Sequence, residues 1–345
     1  MACQWHAACI PDRYARMNAQ PNTRRPTMKT AYCLRASAAV ATLFAHAALC
    51  AAPLAYVPNE KSGSISVLDT ATDTVLRSLP AGKRPRGIAY DTVGNRLFVT
   101  DAGSNTLLML DGSGRAGSTR TLALGSSPEG VSVSPDGRYA AVAVEEGNSV
   151  TLVDAHTGLR LADIPVQGKN PEHAVFSPDS RWLYVSAEEA EQVDVIDVAQ
   201  RRQTGAVAVG LRPRGIGFLP DGSRAYIACE LVNAVYVVDT ASGAAIATIP
   251  AGRNANGIAV HPNGATVYVS NGTDGSVMQI DTATNQVSAT IAVGKRPWNM
   301  AITPDGSKLY VANGRSNSVS VIDTAAARKT ADIAVGELPW GVAIR

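Results

Sequence analysis

Cysteine is nearly absent from the working part of this chain. Four of the five, Cys3, Cys9, Cys33 and Cys50, fall in an N-terminal stretch that reads as removed on export, which leaves Cys229 alone. A lone thiol cannot close an internal disulfide, so stability has to come from packing. Aromatic residues make up only 5 % of the chain, so Val, Ile and Ala must do most of the core filling. Helical periodicity is missing throughout the sequence after residue 53, which excludes bundles and alternating βα architectures.

Most enzyme signatures are missing too. The chain has no Walker A loop, no Gly-x-Ser-x-Gly, no His-Glu-x-x-His, no Cys-x-x-Cys-His and no EF-hand pattern. One formal dinucleotide match, "GSGRAG" from Gly112 to Gly117, is followed by the strand-like "TRTLALG" rather than a helix. No helix N-terminus is then available for a pyrophosphate, and the segment reads as an enlarged turn. No cofactor and no metal site are read from the sequence.

What is present is repetition. A Gly-x-x-Pro-like cassette begins at Gly82, Gly125, Gly168, Gly210, Gly252, Gly294 and Gly336, at steps of 42 or 43 residues. An Asp closes an alternating apolar run at Asp69, Asp111, Asp154, Asp197, Asp239, Asp281 and Asp323. Each unit holds four short period-two stretches, A to D, separated by turn residues such as "PDG", "PNG" and "DTAT". Units of about 40 residues with four strands predict a β-propeller. The final copy stops after "PWGVAIR", Pro339 to Arg345, while the first strands of the chain, "AYVPN", "SISVLD" and "VLRSLPAG", form an unpartnered B, C, D set. The prediction is an all-β, seven-bladed propeller whose last blade is closed by one C-terminal and three N-terminal strands, with Val342 and Ile344 on one packed side. The seven Asp residues are assigned to turns.

The N-terminus divides further. From Met28, Lys29 and Arg35 precede an Ala-rich apolar run that ends on small residues at 48–52, the layout of a secretory signal peptide. Residues 1–27 read as an upstream extension, disordered, from a misplaced start codon. An anchor over 36–52 is the competing reading, but the run is short and ends at a small-residue site. Leu49 before Cys50 argues against a lipoprotein. The expected domains are thus 1–27, 28–52 and a single propeller over 53–345, in the periplasm or secreted. Losing Arg13, Arg16, Arg24, Arg25, Lys29, Arg35 and Asp12 turns the net charge from +2 to about −3, which removes any global argument for nucleic acid.

Function is sought on loops carried by the rigid blades. The cassettes and the B–C loops open on one face. One cassette position reads Arg86, Glu129, Glu172, Arg214, Asn256, Trp298 and Trp340 around the ring, and one B–C position reads Glu60, Ala102, Glu145, Glu188, Glu230, Gly272 and Gly314. Blades two and three suggest a carboxylate sector, and Arg84, Arg86, Arg212 and Arg214 an arginine sector. Arg296, Trp298, Asn256 and Trp340 complete the rim. Trp298 and Trp340 are expected to offer a flat platform, or else to cap the gap between neighbouring blades; Arg86 and Arg214 are expected to be free for anions, or else paired with Asp101 and Glu230. His156 and His261 lie in turns on the opposite face and cannot join His173 around a metal. His173 reads most simply as a partly exposed side chain bonded to Glu172.

The strings "YVPN", "YVSN" and "YVAN", followed by "SVSVID", resemble the YVTN-type repeats of seven-bladed bacterial propellers, including the periplasmic YncE-like group. "YVPNEKSGSISVLDT", "GKRPRGIAYD" and "PWGVAIR" resemble the propeller family associated with PQQ-dependent alcohol catabolism. The resemblance spans 55–345. It implies the fold directly, and function less so, because such motifs are mostly packing signals. It implies an accessory or substrate-binding propeller of a quinoprotein alcohol-oxidising system, monomeric, with no membrane span after signal removal and a protein partner or small ligand on the cassette rim. Similar propellers include lactone hydrolases and amine dehydrogenase subunits. A hydrolase would have to use Glu129, Glu172, His173 and Glu188. A single-stranded nucleic-acid reading, implied by the YncE-like group, would need Arg84, Arg86, Arg212, Arg214 and Arg296 to cluster with Trp298 and Trp340.

Overall fold

The computed structural model describes residues 53–112 and 119–345. The expected extension at 1–27, the signal peptide at 28–52 with its competing anchor, and most of the Gly112–Gly117 segment lie outside the described residues. The described residues form seven four-stranded antiparallel sheets and no helix. Blades one to six span 85–123, 128–165, 171–208, 213–250, 255–292 and 297–334, each in the order A, B, C, D from the axis outwards.

Closure follows the expected scheme. Ala343–Ile344 pairs with Leu54–Asn59, with Tyr56 opposite Ala343 and Ala55 opposite Ile344. Trp340 N–H donates to the Pro58 carbonyl at 3.0 Å and Arg345 N–H to the Leu54 carbonyl at 2.9 Å. An edge that would otherwise template other chains is thereby covered. Val342 and Ile344 pack in one cluster with Ala55, Val57 and Leu68 of blade seven and Tyr310 of blade six.

The core lies between blades rather than within one. Seven apolar clusters each join two neighbouring blades. Strands B and C are therefore covered on both faces and read as nearly continuous apolar runs. Strands D are mostly exposed, burying single residues such as Leu79 and Ile249.

Each letter of the YVxN motif has a physical duty. The Tyr crosses to the next blade: Tyr56 donates to the Gly112 carbonyl at 2.7 Å and Tyr226 to Asn285 Oδ1 at 3.0 Å. The Val fills the core. The third position carries a hydroxyl in several blades: Thr100 Oγ1 accepts the Gly87 N–H at 2.8 Å and donates to the Glu129 carbonyl of the next blade at 2.7 Å, and Ser270 repeats this between Gly257 and Trp298. A side chain at Gly87 or Gly257 would strike the backbone of the next blade, so the inner strands approach at glycine. The fourth residue holds the cassette: Asp101 accepts from the N–H groups of Lys83 at 3.0 Å and Arg84 at 2.7 Å. The landmark Asp residues build turns, as Asp69 does by accepting from Ala71 N–H at 2.7 Å and Asp281 from Thr284 N–H at 2.8 Å.

The closing strand generates a stability test. Val342→Asp places a carboxylate between blades six and seven and is expected to cost at least about 2 kcal/mol in urea unfolding. An unchanged midpoint would mean that the C-terminal strand does not close the ring.

Candidate functional site

One backbone hydrogen bond recurs around the rim. The N–H of the residue after each YVxN motif donates to the carbonyl of the third cassette residue: Ala102 to Arg84, Glu145 to Ser127, Glu188 to Asn170, Glu230 to Arg212, Gly272 to Asn254, Gly314 to Arg296 and Glu60 to Leu338. Six of these seven cassette residues, Ser127, Asn170, Arg212, Asn254, Arg296 and Leu338, have φ between 54° and 58°. Asn tolerates this left-handed conformation better than Arg or Leu does. The result is a fixed radius at which B–C carboxylates meet cassette arginines.

They enclose a funnel of about 290 Å³ on the axis. Its wall includes Arg86, Glu129, Glu172, Arg212, Arg214, Asn256, Arg296, Trp298 and Trp340, joined by Glu60, Ser127, Glu145, Glu188 and Asn299. Arg84 sits beside the funnel on Glu60 at 2.7 Å. His173 lines a second cavity, about 160 Å³, formed by the inner strands. Trp340 and Asn299 line both cavities, so the funnel and the channel adjoin at these two residues.

The charges are interlocked. Arg86 joins Glu60 of blade seven, at 3.2 Å, to Glu129 of blade two. Arg214 reaches Glu172 at 2.8 Å and Glu188 in blade three and its own Glu230 at 2.8 Å. Arg212 approaches Glu188 at 3.0 Å and Glu230 at 3.2 Å, and Arg296 reaches Glu230 at 3.1 Å. Such shared, partly buried pairs hold geometry more firmly than isolated surface bridges.

Several expectations need correction. Arg214 does pair with Glu230, but Arg86 pairs with Glu60 and Glu129 rather than Asp101, whose oxygens are taken by cassette amides. The carboxylates of blades two and three do not form a separate sector, because arginines from blades one and four reach into them. The tryptophans do not share a platform: Trp298 lies over Gly314 of its own blade with the Arg296 guanidinium 6.0 Å from its ring centre, whereas Trp340 turns inward. His173 makes no hydrogen bond to Glu172 among the described residues; its ring meets Trp340 across the channel, centroids 5.5 Å apart. Glycine occupies the equivalent position in most blades, so an imidazole there has only the axis to fill.

Glu60, Glu188 and Glu230 prove to be hubs as important as the arginines. Ser127 was not singled out by sequence reasoning; its Oγ lies 3.1 Å from Glu129 and 2.8 Å from Glu145. Its signal was a hydroxyl at the cassette position that carries Arg or Asn in five of the other six blades.

Electrostatics separates the carboxyls. Burial, and then the nearby Glu172 charge, push Glu129 up to about 9, since Arg86 is divided between it and Glu60. Burial and Glu172 push Glu188 up to about 7. Burial also works against Glu172 and Glu230, but for each Arg214 heads the charges that outweigh it and hold the pKa below its ordinary value. Burial holds His173 below the usual histidine range, so it is neutral at pH 7. Among the described residues no group of three or more His, Cys, Asp or Glu side chains is arranged to hold a metal ion.

Comparison with known proteins gives the following. A family model described as YNCE-like beta-propeller matches residues 26–209, more than half of the chain, and one described as Lactonase, 7-bladed beta-propeller matches 197–334. No curated protein matches. Among solved structures the chain is similar to Kuenenia stuttgartiensis hydrazine synthase, with 23 % identity over 78 % of this chain and 92 % of that one, TM-score 0.72. It is similar to a functionally unknown protein of Desulfotomaculum acetoxidans, with 19 % identity over 84 % and 98 %, TM-score 0.72. A candidate 6-phosphogluconolactonase of Bacteroides uniformis shares 21 % identity over 85 % and 99 %, TM-score 0.70. At these identities the structures share the fold.

Arg214→Ala leaves three carboxylates without their common cation and is expected to cost about 3–5 kcal/mol at pH 7. Glu188 behaves oppositely. Its folded pKa lies above the ordinary value of about 4.3, so its contribution is fully present below that pH and is lost as pH rises through about 7. Glu188→Gln, fixed in the neutral form, should gain in stability relative to the parent between about pH 5 and 8. A pH-independent difference in thermal midpoints would contradict the assignment.

Proposed function

The chain belongs to the YNCE-like β-propeller family, and from that premise we propose that it is an exported binding protein that docks a protein partner on its cassette rim. The observation that carries this reading is in blade four. Leu211, Leu231 and Val232 are 44 %, 56 % and 39 % exposed, and the Leu231 N–H is bonded to the Leu211 carbonyl. The equivalent cassette residues elsewhere are Lys83, Ser126, Lys169, Arg253, Lys295 and Glu337, and the residues matching Leu231 are Lys61, Gly103, Glu146, Glu189, Thr273 and Arg315. One blade alone thus carries an apolar step, beside the interlocked charges of Arg212, Arg214 and Glu230. An apolar centre flanked by polar groups is the make-up of an interface core and rim. The rim arginines each engage a carboxylate, which weakens the case for a nucleic-acid groove. The leader pattern at 28–52 supports a periplasmic location, and the resemblance to alcohol-catabolism propellers supports a quinoprotein oxidation system as the setting.

A second reading rests on a different observation. Glu129, held neutral, and Glu172, held ionised, face one small funnel, and carboxyls pushed apart in this way can act as acid and base. The partial lactonase match supports lactone hydrolysis there.

The experiment is quantitative capture from periplasmic extract. Leu211→Ser, Leu231→Ser, Val232→Ser alters only exposed positions, so thermal stability should hold while partner affinity falls by at least about tenfold, or 1.4 kcal/mol. Equal capture by parent and triple variant would overturn the docking proposal. Hydrolysis of a δ-lactone by the parent, lost in both Glu129→Gln and Glu172→Gln, would instead establish the enzyme.

A further inference from the structure

A cavity larger than the funnel lies at a different place in the fold. It has a volume of about 700 Å³ and opens between blades three and four on the face that carries the A–B and C–D turns. We propose that this cleft is a binding site for a flat, ring-bearing small molecule that is neutral or cationic.

At this junction an inter-blade contact made in three other blades is missing. In blades four, six and seven the motif tyrosine spans to the next C–D turn: Tyr226 reaches Asn285, Tyr310 reaches Asp73 and the Thr70 carbonyl, and Tyr56 reaches the Gly112 carbonyl. The residue four after the turn Asp is Asp73 or Asn285 in two of these cases. Facing Tyr184 that position is Gly243, and the Tyr184 hydroxyl has no hydrogen-bond partner among the described residues, although the side chain is 4 % exposed and lines the cavity. The hydroxyl faces the cleft with its hydrogen-bonding capacity open to an occupant.

A second local change enlarges the space. The strand D residue opposite the fourth residue of strand C is Gly205 in blade three, where other blades carry Arg77, Ala162, Ala247, Ala289 or Ala331. A Cβ at Gly205 or at Gly243 would meet nothing within 4 Å. Both glycines are exposed, so the side chains absent at this junction leave the cleft open to solvent and to a ligand.

The lining states what the occupant is. Trp182, Tyr184 and Phe218 supply aromatic surface, the last two edge to face with centroids 4.8 Å apart. Trp182 replaces Leu54, Arg96, Tyr139, Arg224, Thr266 or Lys308 of the other blades. Asp179 and Asp221 are the charged residues of the wall, and no Lys or Arg lines it; Arg181 lies over the Trp182 ring at 5.6 Å but outside the lining. Aromatic walls with carboxylates at the mouth favour flat neutral rings and cations and disfavour anions. The volume is within the range of small-molecule sites.

The repeat itself supplies the decisive variant. Gly243 has φ +67°, a conformation that Asn285 adopts at the equivalent position. Gly243→Asn should recreate the Tyr226–Asn285 bond for Tyr184, raise the thermal midpoint and close the cleft. Binding is measured by calorimetry and saturation-transfer NMR with indole and tryptamine, and with indole-3-acetate as the anionic control. The parent should bind indole and tryptamine at least about tenfold more tightly than indole-3-acetate. Gly205→Leu, which places a side chain in the cleft, and Gly243→Asn should both abolish binding while remaining folded, and Tyr184→Phe should weaken it. No binding by the parent, equal binding by the two filled variants, or preference for the anion would overturn the proposal.

Discussion

The amide after each YVxN motif can donate to only one carbonyl, that of the third cassette residue, and the rim depends on that constraint. Seven copies of the bond set seven residues at one radius. Where the side chains are glutamates they are crowded close to the axis and largely out of water, so they must be neutralised locally. Arg86 and Arg214 do this by serving several blades at once. The same crowding buries Glu129 and Glu188 beside the Glu172 charge and disposes them to keep a proton. Architecture and acid–base behaviour at the rim thus have one cause.

The fold was legible because a propeller writes its period directly into the chain. Every blade repeats the cassette Gly and the turn Asp, and most repeat the Tyr and the Asn or Asp, for the same local reasons, and the broken last copy announces its own completion by the first strands. The rim residues were also legible as positions, since the funnel gathers most of those that the repeat register selects. Their partners were not. Asp101 looked like the partner of Arg86 because it belongs to the same blade, but the cassette amides of Lys83 and Arg84 had prior claim on it. Trp298 and Trp340 share a register position, yet glycine at 314 gives one a bed in its own blade, and the other meets His173 on the axis. Contacts between blades depend on angle and reach, which spacing does not encode.

Repetition also shows where the molecule departs from its own rule. At blade four the rim becomes apolar at Leu211, Leu231 and Val232, and at the opposite face the junction with blade three loses its tyrosine contact to Gly243. Departures of this kind give up stability that neighbouring blades retain, as expected where function competes with packing. The two faces use unlike chemistry: exposed aliphatic surface beside fixed charge on one, an aromatic cleft with acidic edges on the other. They are far enough apart in the fold to be altered independently.

The central claim, that crowded rim carboxyls share arginines between blades and are thereby pushed apart in pKa, is tested most directly by titrating the side-chain carboxyls with carbon-13 NMR on glutamate-labelled protein, Glu129 being assigned by its loss in Glu129→Gln. The account expects Glu129 to ionise near pH 9 and Glu172 below the ordinary glutamate value. Rim carboxyls that all titrate together at about pH 4–5, as in free glutamate side chains, would contradict it.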